Sequence, residues 1–194
     1  MIKKIFAIIV IIFISCDNSK VNSENIFRYN EYSNISSLDP IFSSTLRNIW
    51  PCNQIFNGLV RMDNNLNVVP DIAETWTVSA DKKTYTFKIK NGIYFHESEF
   101  FENGQSRNVN AYDFEYSFNR LIDNDVASPG AWVMNNVESF EAINDSIFKI
   151  HLDNEFNSFL EILTMKYCSV VPKEVVQSLG NSFSKKPVGT GPFK

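Results

Sequence analysis

Two periods alternate along this chain. From Glu74 to His96, "ETWTVSADKKTYTFKIKNGIYFH", apolar residues recur at every second position: Trp76 and Val78, then Tyr85, Phe87 and Ile89 between Thr84, Thr86, Lys88 and Lys90. A period of two buries one face of a strand and wets the other. The stretch therefore predicts a β-meander, with a polar turn over "SADKK" and an Asn91-Gly92 hairpin that leads into a third strand, Ile93-Tyr94-Phe95. The period then lengthens. In "NVNAYDFEYSFNRLI" one helical face carries Ala111, Phe114, Phe118, Leu121 and Ile122, and Asn110 with Asp113 three residues on reads as its N-cap.

The same reading extends in both directions. "AINDSIFKIHLD" predicts a second hairpin turning at Asn144-Asp145, "NSFLEILTM" a short helix, and "PKEVVQSLG" a helix opened by Pro172 and closed by Gly180. Upstream, Ile26 to Tyr29 suggests a short strand and Leu38-Asp39-Pro40 a turn, since proline fixes φ. Leu46, Ile49 and Trp50 fall at helical spacing, as do Cys52, Ile55, Phe56 and Leu59, and Pro51 either interrupts one helix or starts a second. Asn57-Gly58 ends that segment, and Leu59-Val60 begins a strand towards the turn Asp63-Asn64-Asn65.

Composition adds limits. The chain has 194 residues, 44% hydrophobic and 21% charged, with a formal net charge of −4, which is globular in character. No basic excess exists to neutralise phosphates, so nucleic-acid binding has little support. The N-terminus, "MIKKIFAIIVIIFISCDNS", places Lys3 and Lys4 before an apolar run from Ile5 to Ile14. A membrane-spanning helix needs about 20 apolar residues, and a run of about half that reads as an export signal over residues 1–15. "FISC" resembles the lipobox of bacterial lipoproteins, with Phe13 where that box usually has Leu. That resemblance implies that Cys16 becomes the lipid-carrying N-terminus; the alternative is an ordinary signal peptide with a coincidental cysteine. Residues 16–25, "CDNSKVNSEN", are too polar to fold and form a tether. For Cys52 and Cys168, export permits a disulfide, and two free buried thiols are the alternative.

Chemistry motifs fare poorly. "GTGPFK" lacks both the GxxxxGK[ST] phosphate loop and the GxGxxG fingerprint, each of which must open a helix. His96 and His151 stand in strand-like segments without a second ligand nearby, and no CxxC, HExxH or GxSxG occurs, so neither a metal site nor a catalytic site is indicated. No cofactor is called for. Most aromatics fit a buried stripe. Tyr29, Tyr32 and Trp132 do not, and unpatterned loop aromatics are candidate ligand contacts.

Six landmarks then occur in order: "SSLDP" (Ser36–Pro40), "IFNGLVRMD" (Ile55–Asp63), "VVPDIAETWTVSADKKTYTFKIKNGIYFH" (Val68–His96), "VNAYDFEYSFNRLID" (Val109–Asp123), "SVVPKEVV" (Ser169–Val176) and "PVGTGPFK" (Pro187–Lys194). The series resembles the family 5 extracellular solute-binding proteins, the peptide-binding components of oligopeptide and dipeptide ABC importers. The resemblance implies a two-lobed α/β periplasmic-binding-protein-like (type II) fold whose lobes close on ligand. Residues 26–194 would be the N-terminal part of the first lobe with its small β-rich subdomain, and "GTGPF" the point where the chain enters a strand of that lobe, with several hundred residues and the second lobe to follow. It also implies a lipid-anchored, non-enzymatic protein in the cell envelope that captures peptides and passes them to a permease and ATPase complex. Ser44, Thr45 and Leu46 match the stretch whose backbone pairs with an extended ligand, without the acidic residue that oligopeptide binders carry there. A ligand-contacting tyrosine of those binders corresponds to Gly130, with Trp132 as its substitute two residues on. Tyr32 completes the candidate ligand contacts. Asp39, Trp76 and Asn91-Gly92 read as structural. Two alternatives stay open: a one-lobed lipoprotein acting as an interaction or adhesion module, and a binder of a sugar, metal chelate or haem.

Overall fold

The computed structural model describes residue 30 and residues 33–194. The strand expected at Ile26 to Tyr29, the lipidation site Cys16 and Tyr32 lie outside the described residues. From Ser33 onward the elements are helix α1 (Leu46–Ile55), strands β1 (Val60–Met62), β2 (Val68–Pro70), β3 (Ala73–Val78) and β4 (Thr84–Ile89), helix α2 (Ala111–Ile122), strands β5 (Val137–Asn144) and β6 (Ile147–Leu152), and helices α3 (Phe159–Ile162) and α4 (Lys173–Leu179). The fold is mixed α/β.

An antiparallel sheet in the order β3-β4-β6-β5 forms the main layer. Tyr85 and Phe87 of β4 sit opposite Ile150 and Phe148 of β6, and all four are buried, so the two alternating patterns meet on one face. Helix α2 lies across that face. Its Phe118 ring is 5.5 Å from Phe148 and meets Phe140 of β5 edge-on at 5.7 Å, a geometry that aromatic quadrupoles favour. The helix start is fixed as its sequence predicts: Asn110 accepts from the Asp113 N–H and Asp113 accepts from the Asn110 N–H. Ala111, Phe114, Phe118 and Leu121 are buried, whereas Ile122 is exposed.

Several expectations need correction. Ile93 to Phe95 is not a third strand of a meander, for Tyr94 makes only an isolated bridge to Asn108. The edge of β4 on which it would pair is taken by β6, whose buried alternation matches that of β4 across five registered positions. The Asn91-Gly92 turn, with Gly92 at φ 79°, leads the chain off the sheet instead. On β3, an edge strand, Trp76 is half-buried and Val78 exposed, so the alternation there does not mark the core face.

Around Pro51 there is one helix, not two. A proline inside a helix removes one i→i−4 bond, and tertiary anchoring offsets that loss. The buried side of α1 is Asn48, Cys52 and Ile55, while Leu46 (71%) and Trp50 (56%) face solvent. Asn48 is buried because its side chain holds the preceding segment: Nδ2 donates to Ser36 Oγ at 3.0 Å, and Oδ1 accepts from the Ser36 N–H at 3.2 Å. The Cys52 thiol accepts from Ser43 at 3.1 Å. Both Cys52 and Cys168 are free and buried. Phe56, read as part of the helix, caps its end and is buried in the core.

The remaining predicted elements stand where expected: the hairpin turning at Asn144-Asp145, the short helix α3, and α4 running from Pro172 to a Gly180 C-cap at φ 51°.

Candidate functional site

Ahead of α1 the chain is held on three sides. The buried Asp39 carboxylate accepts a bidentate pair from Arg120 of α2, the strongest ion-pair geometry available to these residue types. Ser128 donates to the Ile41 carbonyl at 2.6 Å, and Asp39 caps a 3-10 turn over Pro40–Phe42. This anchoring presents Ser44 and Thr45 to solvent. Thr45 is extended (φ −126°, ψ 151°), and its N–H has no acceptor among the described residues.

Beside this stretch opens a groove of about 620 Å³. One wall is Ser43 and Ser44, with Ile49 and Asn53 of α1. Arg61 and Met62 of β1 and the irregular segment from Thr164 to Tyr167 complete it. No Asp or Glu lines it. Lys166 is half-buried, and its Nζ donates one hydrogen bond, to the Phe56 carbonyl at 3.3 Å. Burial pulls the Lys166 ammonium below its ordinary range, opposed only in part by the charge of Asp71. Asp71 itself accepts from Asn57 Nδ2 at 3.0 Å and the Gly58 N–H at 3.3 Å. Burial also raises the Cys52 thiol to about 11 and the Cys168 thiol to about 12, so neither is a nucleophile at neutral pH. Among the described residues no cluster of His, Cys, Asp or Glu could hold a metal ion.

The predicted site residues separate here. Ser44 lines the groove; Thr45 and Leu46 follow it, exposed, outside the lining. Trp132 is 49% exposed on a 3-10 turn and does not line the groove either. At Gly130 a Cβ would fall 2.2 Å from the Tyr167 ring, so the ring of Tyr167, not the indole of Trp132, fills the space beside position 130. Lys166 and Tyr167 were missed by the sequence reading. Tyr167 carried the same signal as Trp132, an aromatic in an irregular segment outside any periodic stripe.

The Gly-Thr-Gly stretch has a different task. The N–H groups of Thr190 and Gly191 donate to the Ile55 carbonyl at 3.0 and 2.8 Å, and that of Phe193 to the Gln54 carbonyl at 3.2 Å. They satisfy carbonyls at the end of α1, which lack helical partners. A Cβ would collide with those carbonyls, 2.0 Å away at Gly189 and 2.3 Å at Gly191. His96 Nε2 lies 2.7 Å from the Gly191 carbonyl. With these amides engaged, the stretch cannot cradle a phosphate. The strand implied at "GTGPF" does not appear among residues 187–194.

Residues 67–194 match the bacterial extracellular solute-binding proteins, family 5 middle. The chain belongs to this family. Among its curated family 5 relatives, the di/tripeptide-binding protein 1 of Pseudomonas aeruginosa (strain UCBPP-PA14) is 30% identical over 156 residues, covering 72% of this chain and 29% of the relative. The dipeptide-binding protein DppE of Bacillus subtilis (strain 168) is 28% identical over 197 residues, covering 93% and 35%. Of solved structures, the ABC transporter-associated periplasmic binding protein DppA from Helicobacter pylori, in complex with the peptide STSA, superimposes with a TM-score of 0.73 at 28% identity, over 82% of this chain and 34% of that one. The chain thus spans about a third of the length of these two-lobed family 5 proteins. No helix among its described residues is long and apolar enough to cross a membrane.

Proposed function

We propose that this chain is the ligand-contacting N-terminal part of a substrate-binding component of an ABC importer, which captures short peptides between two lobes and hands them to a permease and ATPase. The observation that carries this reading is an extended Thr45 whose N–H has no acceptor among the described residues, beside a groove of about 620 Å³. An extended backbone with open hydrogen-bonding groups accepts another extended backbone whatever its side chains, and a roomy groove accommodates those side chains. Relatives named for binding di- and tripeptides support the same ligand class. On this reading Ser44, Thr45 and Leu46 supply the backbone contact, and the aromatic Tyr32 and Trp132 are further candidate ligand contacts. Residues 1–15 are the export signal, Cys16 carries the lipid that holds the protein on the membrane, residues 16–25 are the tether, and residues 26–194 are the first part of lobe one.

Calorimetry on the full-length protein with mixed di- and tripeptides tests the reading. Saturable binding of one peptide per protein is expected. Absence of binding across the mixture, with a sugar, metal chelate or haem bound instead, would replace peptide with that solute class.

A further inference from the structure

Lys166 is an ammonium short of partners. It carries three donors, yet among the described residues its Nζ makes one hydrogen bond, at 3.3 Å, and no ion pair. Asp71, whose charge acts on it, is already engaged by Asn57 and Gly58. A half-buried cation left this way is unfavourable unless something else completes its shell. The same groove holds a second cation, Arg61, which is exposed and makes no ion pair among the described residues. Two basic side chains, no acidic one, and a neighbouring Ser44 hydroxyl line one cavity.

We infer that this groove, through Lys166 and Arg61, receives a carboxylate of the bound ligand. The inference rests on the peptide reading above and adds a polarity to it: an anionic group of the peptide lies against this part of the chain, with Lys166 as the buried partner and Arg61 as the outer one. The Met165–Tyr167 segment enters here as a specificity element, since all three of its residues line the same groove as Arg61. A carboxylate at this place comes either from the peptide C-terminus or from an acidic side chain.

Three tripeptide mixtures separate the cases in calorimetry on the full-length protein. One has uncharged side chains and a free C-terminus; the second is the same mixture amidated; the third is amidated with Glu at one position. The free-acid mixture is expected to bind the wild type about tenfold or more tighter than the amidated mixture, the weight of a hydrogen-bonded ion pair. Lys166→Met should remove that difference, and Arg61→Gln should remove part of it. If the Glu mixture instead shows the Lys166-dependent gain, the carboxylate is a side chain and the inference stands. Equal binding of all three, or a gain that persists in Lys166→Met, overturns the inference and leaves the peptide reading intact. Binding of none overturns both. The Arg61 variant, at an exposed position, guards against a Lys166 variant that fails to fold.

Discussion

The ring of Tyr167 stands where a side chain on Gly130 would have to go: a Cβ at 130 would lie 2.2 Å from Cδ1 and 2.3 Å from Cγ. The two residues are 37 positions apart, and their contact brings the turn after Ser128 against one wall of the groove. Ser128 fixes the turn, donating to the Ile41 carbonyl and accepting from the Gly130 N–H. Gly130→Ala should therefore displace the ring and cost about 1–3 kcal/mol, the usual range for overpacking. Paired with Tyr167→Leu the penalty should shrink, giving a coupling of about 1 kcal/mol in a double-mutant cycle. Urea denaturation of the four proteins measures it; additive penalties would show that the ring moves aside freely.

Asp39 and Arg120 join the segment before α1 to α2, with Asp39 buried and Arg120 only 13% exposed. Removing one partner leaves a buried charge. Arg120→Met should cost about 3–5 kcal/mol, and adding Asp39→Asn should recover a good part of it by removing the stranded carboxylate. The comparison of the two denaturation midpoints is the check.

Gly191 is tied to the end of α1 from both sides, by its own N–H to Ile55 and by His96 on its carbonyl. With backbone atoms 2.3 Å from a Cβ at this position, Gly191→Ala should destabilise by about 1–3 kcal/mol. Pro192→Ala, on the same segment but exposed, should stay within about 0.5 kcal/mol. Thermal unfolding of both variants distinguishes a steric requirement from general sensitivity of the segment.

The buried thiols give a pH dependence of definite sign. Burial raises Cys52 from 9.0 to about 11. Below 9.0 the thiol is neutral in both states and its contribution is fully present. Above that value the unfolded chain loses the proton first, so stability falls until the pH passes about 11. Cys52→Ala should flatten the loss of melting temperature between pH 8.5 and 10.5 relative to the wild type. In the native protein at pH 8, a thiol-reactive dye should label neither Cys52 nor Cys168 until unfolding exposes them.

What the sequence discloses follows the range of the interactions involved. The Asn110–Asp113 capping box, the Asn144-Asp145 hairpin and the Pro172-to-Gly180 helix depend on residues a few positions apart, and each is readable. The pairing of β4 with β6 joins residues some 60 apart, and local alternation could not tell β6 from the nearer Ile93–Phe95 as the partner. The buried face of α1 is not legible for a related reason: Leu46 and Trp50 are apolar, but the core is reached through Asn48, Cys52 and Ile55, and the partners of Asn48 and Cys52, Ser36 and Ser43, lie across a turn. In the groove, the resemblance located Ser44. Lys166 and Tyr167, in an irregular segment with no period, become visible only once the fold brings them into the same groove as Arg61.

The most direct test of the central claim is hydrogen–deuterium exchange of the full-length protein with and without a bound peptide. Slower exchange on binding is predicted at residues 44–46, above all at the Thr45 amide, and at residues 164–167. Bound peptide with unchanged exchange at both stretches would contradict the claim that this part of the chain meets ligand through its backbone and groove.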